Sequence, residues 1–586
     1  MTFLQTFHRH CLGLALFAAL VSPLQAQKVP VIEKELPNGM KLLLVVRHDE
    51  PSVSGGWVAH VGSANERPGI TGIAHLFEHM MFKGTPTLGT KNNQRDQEII
   101  AAQEQVRDQM RAEENKLRIA VRRGEADDLL KPENMSPRWR ELNEQFKKLV
   151  TEQRELMVKN EFDRVYTTAG ASSMNAFTSE DMTCYFITVP ANKLELWMWM
   201  ESERLLRPVF REFYAERDVV MEERRLRTES TPLGKPQEQF NSLFWESSNY
   251  HWPVIGWPFD VAHISMPEAK NFYATYYAPQ NLTAVLVGDF DPDQATQLAE
   301  KYLGRIPRGA QNPPPVLSME VPQVAEKRMN AEAETNPLAE IWWHTVAFGH
   351  TDSYALEILA RLLNTRTGRL YKGLVLGSQL ATEAEAAQES RKYAGFFIAQ
   401  AEAKEGRTPQ EVEAGIYSEL ARLQTETVPA DELQKVKNNF AANEYRKLAS
   451  NMAILQQLMI NDGFGNWREI NEAGPRYQAV TAADVQRVAK KYFTKDNRAT
   501  ALYTRKAAAD GATAEADPAL ASLPADQQAM LKPALARLKS ETDPAKLRDG
   551  LAKMESNAAQ APAEMKPVLD VMKKAMQARI TELEKK

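Results

Sequence analysis

Apolar residues recur along the chain with two different periods, and together they predict a mixed α+β protein. Short apolar runs at 31–36 and 40–46 flank Asn38-Gly39, a turn pair typical of β-hairpins. A third strand is predicted over 52–62, after which residues 69–82 change to helical spacing. Further strand patterns lie at 172–177, 182–189 and 282–288, and helical patterns lie at 192–206, 212–228 and 292–303.

A second succession of strands and helices follows a proline-rich segment. Residues 305–322 contain five prolines and are predicted to link two domains. The second stretch has predicted strands at 339–348 and 394–401 and predicted helices at 354–363, 408–425 and 430–449. Residues 506–586 are rich in Ala, Lys and Glu, and we expect them to form a loose helical C-terminal tail.

Residues 91–165 differ from both stretches because they are densely charged. They contain 16 basic and 16 acidic residues but a single glycine, Gly124. Ser136 and Pro137 are typical of a helix start, and a heptad seam follows at Trp139, Leu142, Phe146, Leu149 and Leu156. We expect an antiparallel helical hairpin, inserted on a domain surface and turning at about 124–136. It is either a solvated pair of helices without chemistry or an arm that docks a partner.

Overall composition excludes two broad classes of protein. The 586 residues include 72 Lys plus Arg against 77 Asp plus Glu, a net charge of −5, so no nucleic-acid partner is indicated. A hydrophobic content of 43% is enough for a large core and argues against a disordered chain.

Residues 1–26 have the pattern of a secretory signal peptide. Arg9 precedes an apolar run that starts at Cys11, and cleavage is expected after Ala26; an uncleaved anchor is the alternative. No later segment is apolar enough to predict a membrane span in the mature chain. Cleavage would leave Cys184 as the one thiol, so an internal disulfide is not expected, and the predicted location is the bacterial periplasm.

The chemistry of the chain is concentrated in His75-Leu76-Phe77-Glu78-His79. Residues four apart lie on one face of a helix, so both imidazoles can reach one metal ion, with Glu78 beside them. Hydrolytic zinc sites take three protein ligands and use a nearby carboxylate as general base. A bare pair of histidines is a weak signal, but the glutamate between them makes a metal site the favoured interpretation.

The segment from Gly72 to Thr85 resembles the inverted zinc motif of the pitrilysin/insulinase metallopeptidases. The resemblance implies one zinc ion, held by His75, His79 and a glutamate on a later helix, with Glu78 as the catalytic base. Glu223 matches that third ligand, and Glu216, seven residues earlier, matches the residue that supports it. Glu222 is the alternative ligand, but it would point about 100° away on the helix.

The same resemblance covers about 30–505 and implies two similar α/β-sandwich domains that form one half of a peptidase chamber. The predicted domains are 27–265, which is catalytic, and 266–505. Residues 173–178 resemble the edge strand that binds peptide by backbone pairing, and the implied contacts are Asn175, Ala176 and Phe177.

One departure from the family pattern concerns the second domain. Family members carry there an Arg and, seven residues on, a Tyr that hold the substrate carbonyl, whereas this chain has Val375 and Thr382. The sequence therefore predicts a zinc endopeptidase acting on unfolded peptides or short polypeptides, as the catalytic subunit of a heterodimer whose homologous partner supplies the missing pair. The alternatives are a noncatalytic assembly or peptide-binding subunit and a metal-binding chaperone.

Overall fold

The computed structural model describes residues 28–129, 131–506, 543–558 and 566–584, together with residues 531, 534, 535 and 538. The predicted signal peptide, residues 1–26, lies outside these residues. The chain divides into two compact units, Met1–Arg505 and Lys506–Lys586. In the described part, no helix combines the length and the apolar character needed to cross a membrane.

A six-stranded sheet organises the first half of the larger unit. Its strands are β1 (Ile32–Glu35), β2 (Lys41–Val46), β3 (Ser52–Ala59), β4 (Ser172–Thr178), β5 (Thr183–Pro190) and β6 (Leu282–Gly288), in the order β1-β2-β6-β3-β5-β4. The predicted hairpin around Asn38-Gly39 is confirmed, because β1 and β2 pair antiparallel with Glu35 opposite Lys41. Gly39 adopts a φ of 88°, which explains the preference for glycine after Asn38.

A second sheet repeats this topology. Its strands are β7 (Lys327–Ala333), β8 (Leu338–Thr345), β9 (Ala381–Ser390), β10 (Gly395–Ala403) and β11 (Arg498–Arg505), in the order β7-β11-β8-β10-β9. The parallel pair β7 and β11 corresponds to the parallel pair β2 and β6. The three pairings that follow are antiparallel in both sheets, and the first sheet has one more antiparallel pairing, β1 with β2. The expectation of two similar α+β domains is therefore confirmed strand by strand, with β1 as an addition to the first.

The predicted boundary between residues 265 and 266 is corrected by the sheet order. β6 lies after that boundary, yet it pairs with both β2 and β3 in the middle of the first sheet. The boundary between the sheets therefore falls between residues 306 and 326, within and just after the proline-rich linker. Assigning this buried central strand to another domain would leave the backbone hydrogen-bonding groups of β2 and β3 unpaired. Residues 282–288 therefore belong to the first domain.

Helices cover both sheets. They are α1 (Ile73–Met80), α2 (Asn93–Arg122), α3 (Pro137–Leu156), α4 (Glu161–Thr168), α5 (Leu194–Leu206), α6 (Phe213–Arg224), α7 (Gly234–Phe244), α8 (Pro258–His263), α9 (Met266–Tyr276), α10 (Pro292–Tyr302), α11 (Thr351–Leu363), α12 (Pro409–Thr425), α13 (Ala430–Lys447), α14 (Asn451–Phe464), α15 (Glu469–Ala479) and α16 (Ala482–Tyr492). One of them joins the halves: Leu455 and Leu458 of α14 pack against Val58 and Val285 of the first sheet.

The charged segment forms the predicted helical hairpin, α2 and α3, followed by the short helix α4. Ser136 caps α3 as expected, because its hydroxyl accepts a hydrogen bond from the Trp139 amide at 3.1 Å. Leu142 of the predicted seam is buried, and Phe146 packs against the first core. The hairpin therefore packs against the first domain through Ile100 of α2 and Phe146 of α3 and is not a free pair of helices.

The smaller unit contains helices α17 (Pro544–Ala558) and α18 (Lys566–Glu584). Its described residues share a small apolar core made by Leu531, Leu535, Leu538, Leu547, Val568, Val571 and Ile580. The tail is helical, as predicted, but these packed side chains make it more compact than the expected loose appendage.

Candidate metal centre

The start of α1 is fixed by a buried carboxylate. Glu66 accepts hydrogen bonds from the backbone amides of Gly72 and Ala74, both at 2.8 Å. Gly72 has a φ of 90°, and a Cβ atom there would lie 2.6 Å from the carbonyl oxygen of Ile255, so only glycine fits. The helix therefore begins at Ile73, later than the predicted residue 69, and it presents its histidines at fixed positions.

The structure brings His75, His79 and Glu223 together. One ligand atom from each lies within 4.8 Å of the other two. Oε2 of Glu223 is 3.7 Å from Nε2 of His75 and 3.2 Å from Nε2 of His79. Two atoms that each bind one tetrahedral zinc ion at about 2.1 Å lie roughly 3.4 Å apart. The spacing and the donor types, two imidazoles and a carboxylate, thus fit a catalytic zinc site.

Glu216 holds His79 in the orientation that this site requires. Its Oε1 lies 2.8 Å from Nδ1 of His79, so Nδ1 carries the proton and Nε2 is left free to bind a metal. The ammonium group of Lys83 forms a salt bridge with the other carboxylate oxygen. Glu216 and Glu223 reach the two sides of the site because they stand two turns apart on α6.

The pKa values of the two histidines shift in opposite directions because their surroundings differ. Burial, together with the positive charges of His79 and Arg227, lowers the pKa of His75 to about 3. Burial also acts to lower the pKa of His79, but the hydrogen bond that His79 donates to Glu216 and the charges of nearby carboxylates outweigh burial and raise that pKa overall. His75 is therefore neutral, which is the form that binds a metal. Its Nδ1 has no hydrogen-bond partner within the described part of the chain.

Glu78 lies beside the three ligands and is held by the edge strand of the first sheet. The hydroxyl of Thr178 donates a hydrogen bond of 2.6 Å to Oε2 of Glu78. Burial raises the pKa of Glu78 above its ordinary value, although Thr178 and His79 act in the opposite direction. This environment suits a carboxylate that must accept and return a proton.

β4 carries the predicted peptide-binding residues and is the last strand of its sheet. Asn175, Ala176 and Phe177 lie opposite Phe186, Tyr185 and Cys184 of β5. The amide of Ala176 donates a hydrogen bond of 2.9 Å to Oδ1 of Asn175. Because β4 is the edge strand, its free side is where an extended chain could pair. Cys184 is fully buried, so it packs as a small apolar side chain.

Three contacts around the ligands were missed by the sequence reasoning. Arg227 pairs with Oε1 of Glu223 at 2.8 Å, Lys83 pairs with Glu216, and Thr178 bonds Glu78. The i,i+4 spacing of the first pair was a usable signal. Glu222, the alternative ligand, is exposed and pairs with Arg225, so it lies outside the cluster.

A buried guanidinium ties the hairpin to the loop that follows α1. Nε of Arg211 lies 2.7 Å from Oδ2 of Asp96 on α2, and both side chains are fully buried. The remaining nitrogens of Arg211 donate to the carbonyl groups of Lys83, Leu88 and Thr85. The insertion therefore supports the segment that carries Lys83.

The second domain lacks the expected Arg and Tyr at the matching positions. Val375 lies in a π-helical turn, 371–377, and packs against the second core. Thr382 is exposed at the start of β9, where its hydroxyl donates to Oε1 of Glu402 at 2.9 Å. Neither side chain supplies a cation or a phenol to a substrate.

Comparisons with known families agree with this geometry. Residues 42–114 match the description "Insulinase (Peptidase family M16)", and residues 263–440 match "Peptidase M16 inactive domain". His75, Glu78 and His79 lie in the first match. Glu223 lies between the two matches.

Similar proteins and structures cover most of the larger unit. "Zinc protease PqqE" of Helicobacter pylori is 25% identical over 481 residues, which are 80% of this chain and 91% of that protein. "Probable zinc protease PqqL" of Escherichia coli is 26% identical over 310 residues, 51% of this chain but 26% of that protein. A crystal structure of a protease from Helicobacter pylori superposes with a TM-score of 0.67 at 22% identity, covering 82% of this chain and all of that one. The crystal structure of the periplasmic protease PqqL from Escherichia coli superposes with a TM-score of 0.59 at 16% identity, covering 82% of this chain and 48% of that one.

Proposed function

The chain belongs to the insulinase (M16) peptidase family, and we propose that it is a zinc-dependent endopeptidase that cleaves unfolded peptides or short polypeptides. The observation that carries the proposal is the meeting of His75, His79 and Glu223, with Glu78 beside them. A peptide-binding subunit without activity would need no such base next to its ligands.

Three groups of residues would have separate roles in the proposed reaction. His75, His79 and Glu223 would hold the zinc ion, which when bound would act as a Lewis acid towards water and the peptide carbonyl. Glu78, anchored through Oε2 by Thr178, would accept the proton of the attacking water at Oε1 and deliver it to the leaving amine. The open edge of β4 would align the substrate by backbone pairing, which requires an extended chain and reads little sequence.

Metal removal tests the proposed function directly. Treatment with a chelator should abolish hydrolysis of a quenched fluorescent peptide, and stoichiometric zinc should restore it, because the proposed mechanism requires the metal held by His75, His79 and Glu223. The control is the same chain in which His75 is replaced by Ala, which should neither bind zinc nor cleave. Hydrolysis that persists in the metal-free chain would rule the mechanism out. Zinc binding without hydrolysis, by the chain together with any subunit that copurifies with it, would favour the peptide-binding alternative.

We further propose that the chain works with a homologous partner in the periplasm. Val375 and Thr382 stand where substrate-holding groups are expected, so a partner that carries Arg and Tyr at those positions would complete the site. Purification from the native source should therefore yield a complex of two related chains, with peptidase activity well above that of this chain alone. Full activity of the isolated chain, unchanged when the related chain is added, would contradict the heterodimer.

Replacing Glu216 by Gln should weaken zinc binding while leaving the fold intact. The amide oxygen can still accept a hydrogen bond from Nδ1–H of His79 but carries no charge, so the imidazole becomes a weaker ligand. We expect the zinc dissociation constant to rise roughly 10- to 100-fold, measured by competition with a chromophoric chelator. Glu212→Gln, which alters the other carboxylate near Lys83, is the matched control and should bind zinc as the parent chain does. Equal affinity of the Glu216→Gln and parent chains would show that His79 is oriented by other contacts.

A further inference from the structure

The edge strand β4 contains one more residue than its partner can match. Ser172 lies opposite Thr188, whereas Asn175 lies opposite Phe186, so three steps along β4 correspond to two along β5. Ser173 has a φ of 57°, in the left-handed region that favours glycine. The extra residue is therefore a β-bulge, which here has a serine in the strained position.

The bulge divides the open edge into two parts. From Asn175 to Thr178 the register with β5 is continuous, and Thr178 bonds Glu78 at 2.6 Å, so this part begins beside the metal centre. At a rise of about 3.4 Å per residue, four residues span roughly 10–14 Å. Ser172 and Ser173 lie at the far end, and both are exposed.

A bulge bends its strand and interrupts the row of amides and carbonyls that a neighbouring strand would pair with. Natural proteins use this device to stop pairing at sheet edges. We propose that the bulge at Ser173 sets the length of substrate that pairs with β4, which is about four residues on one side of the scissile bond. Residues farther from the bond on that side leave the edge at the bulge. The inference rests on the proposed peptidase function and adds a limit to its substrate.

The limit is tested with the full-length Glu78→Gln chain, purified with any subunit that accompanies it. Fluorescent peptides are lengthened by one residue at a time towards either end, and their dissociation constants are measured by anisotropy. Lengthening towards one end should tighten binding roughly 2- to 10-fold for each backbone hydrogen bond added, up to about four residues. Further lengthening should change the affinity less than about twofold, because no edge hydrogen bond is added.

Two variants in the same background separate the bulge from the rest of the edge. Deletion of Ser173 makes the register continuous. The peptide length at which the affinity stops rising should then move from about four residues to about six. Ser173→Gly places at the bulge a residue that adopts this φ without strain. The bulge should therefore remain, and the affinity should still stop rising at a length of about four residues. A parent chain whose affinity continues to rise beyond four residues, or a folded deletion variant whose plateau does not move, would overturn the inference.

A second measurement applies if the deletion variant fails to fold. With a long peptide bound to the Glu78→Gln chain, hydrogen exchange should slow at residues 175–178 and remain unchanged at 172–174. Slowing across all of 172–178 would overturn the limit. Absence of any peptide binding would instead overturn the proposed function, and the inference with it, so the two failures are distinguishable.

Discussion

Replacement of Glu78 by Gln should lower kcat for peptide hydrolysis by about 10²- to 10⁴-fold, the usual contribution of a general base. The amide has nearly the shape of the carboxylate and can still accept the Thr178 hydrogen bond, so the strand and the helix should stay in place. None of the three proposed ligands is altered, and the variant should therefore retain one zinc ion per chain. The measurements are initial rates with a quenched peptide and zinc content by elemental analysis.

Glu222→Gln is the matched control for this substitution. Glu222 lies one position from the proposed ligand Glu223, but it is exposed and pairs only with Arg225 among the described residues. Its replacement removes the same charge from the same helix and should leave kcat within about twofold, as is usual for surface changes. A Glu78→Gln chain that cleaves at the parent rate would exclude Glu78 as the base.

Helical periodicity explains why the grouping of these side chains could be predicted from the sequence. His75 and His79 are four apart, and Glu216 and Glu223 are seven apart, so each pair must share a helix face whatever the rest of the fold does. The structure adds the meeting of the two helices, which depends on packing between distant segments. Local spacing cannot report that Thr178 reaches Glu78 or that Lys83 reaches Glu216.

The domain boundary, in contrast, could not be predicted from local sequence patterns. The apolar run at 282–288 predicts a buried strand, but such a run does not show to which sheet the strand belongs. Only the pairing of β6 with β2 and β3 assigns it to the first domain. The bulge at Ser173 was equally invisible, because a serine in the left-handed region leaves no mark on the alternation of apolar and polar residues.

Loss of the buried carboxylate at Asp96 should destabilise the larger unit by about 3–5 kcal/mol, since removal of one partner leaves the other charge buried without compensation. Arg211 is fully buried, and Asp96 is its only carboxylate contact among the described residues. Asp96→Ala should therefore lower the midpoint of denaturant unfolding markedly, whereas Asp96→Asn, which keeps an oxygen acceptor, should lower it less. Glu98→Ala removes an exposed carboxylate on the same helix and should leave the midpoint nearly unchanged.

Arg211→Met should be more damaging than either change at Asp96. Besides its ion pair, Arg211 donates to the carbonyl groups of Lys83, Leu88 and Thr85, and methionine would leave these acceptors buried and unpaired. The double variant Asp96→Ala with Arg211→Met should then be no less stable than Arg211→Met alone, because it removes the carboxylate that Arg211→Met leaves buried without its charge partner. Lys83 lies in this loop, after the end of α1 at Met80, and pairs with Glu216, so loosening the loop should also weaken zinc binding. If the hairpin were only an arm for a partner, Asp96→Ala would leave both stability and zinc affinity at their parent values.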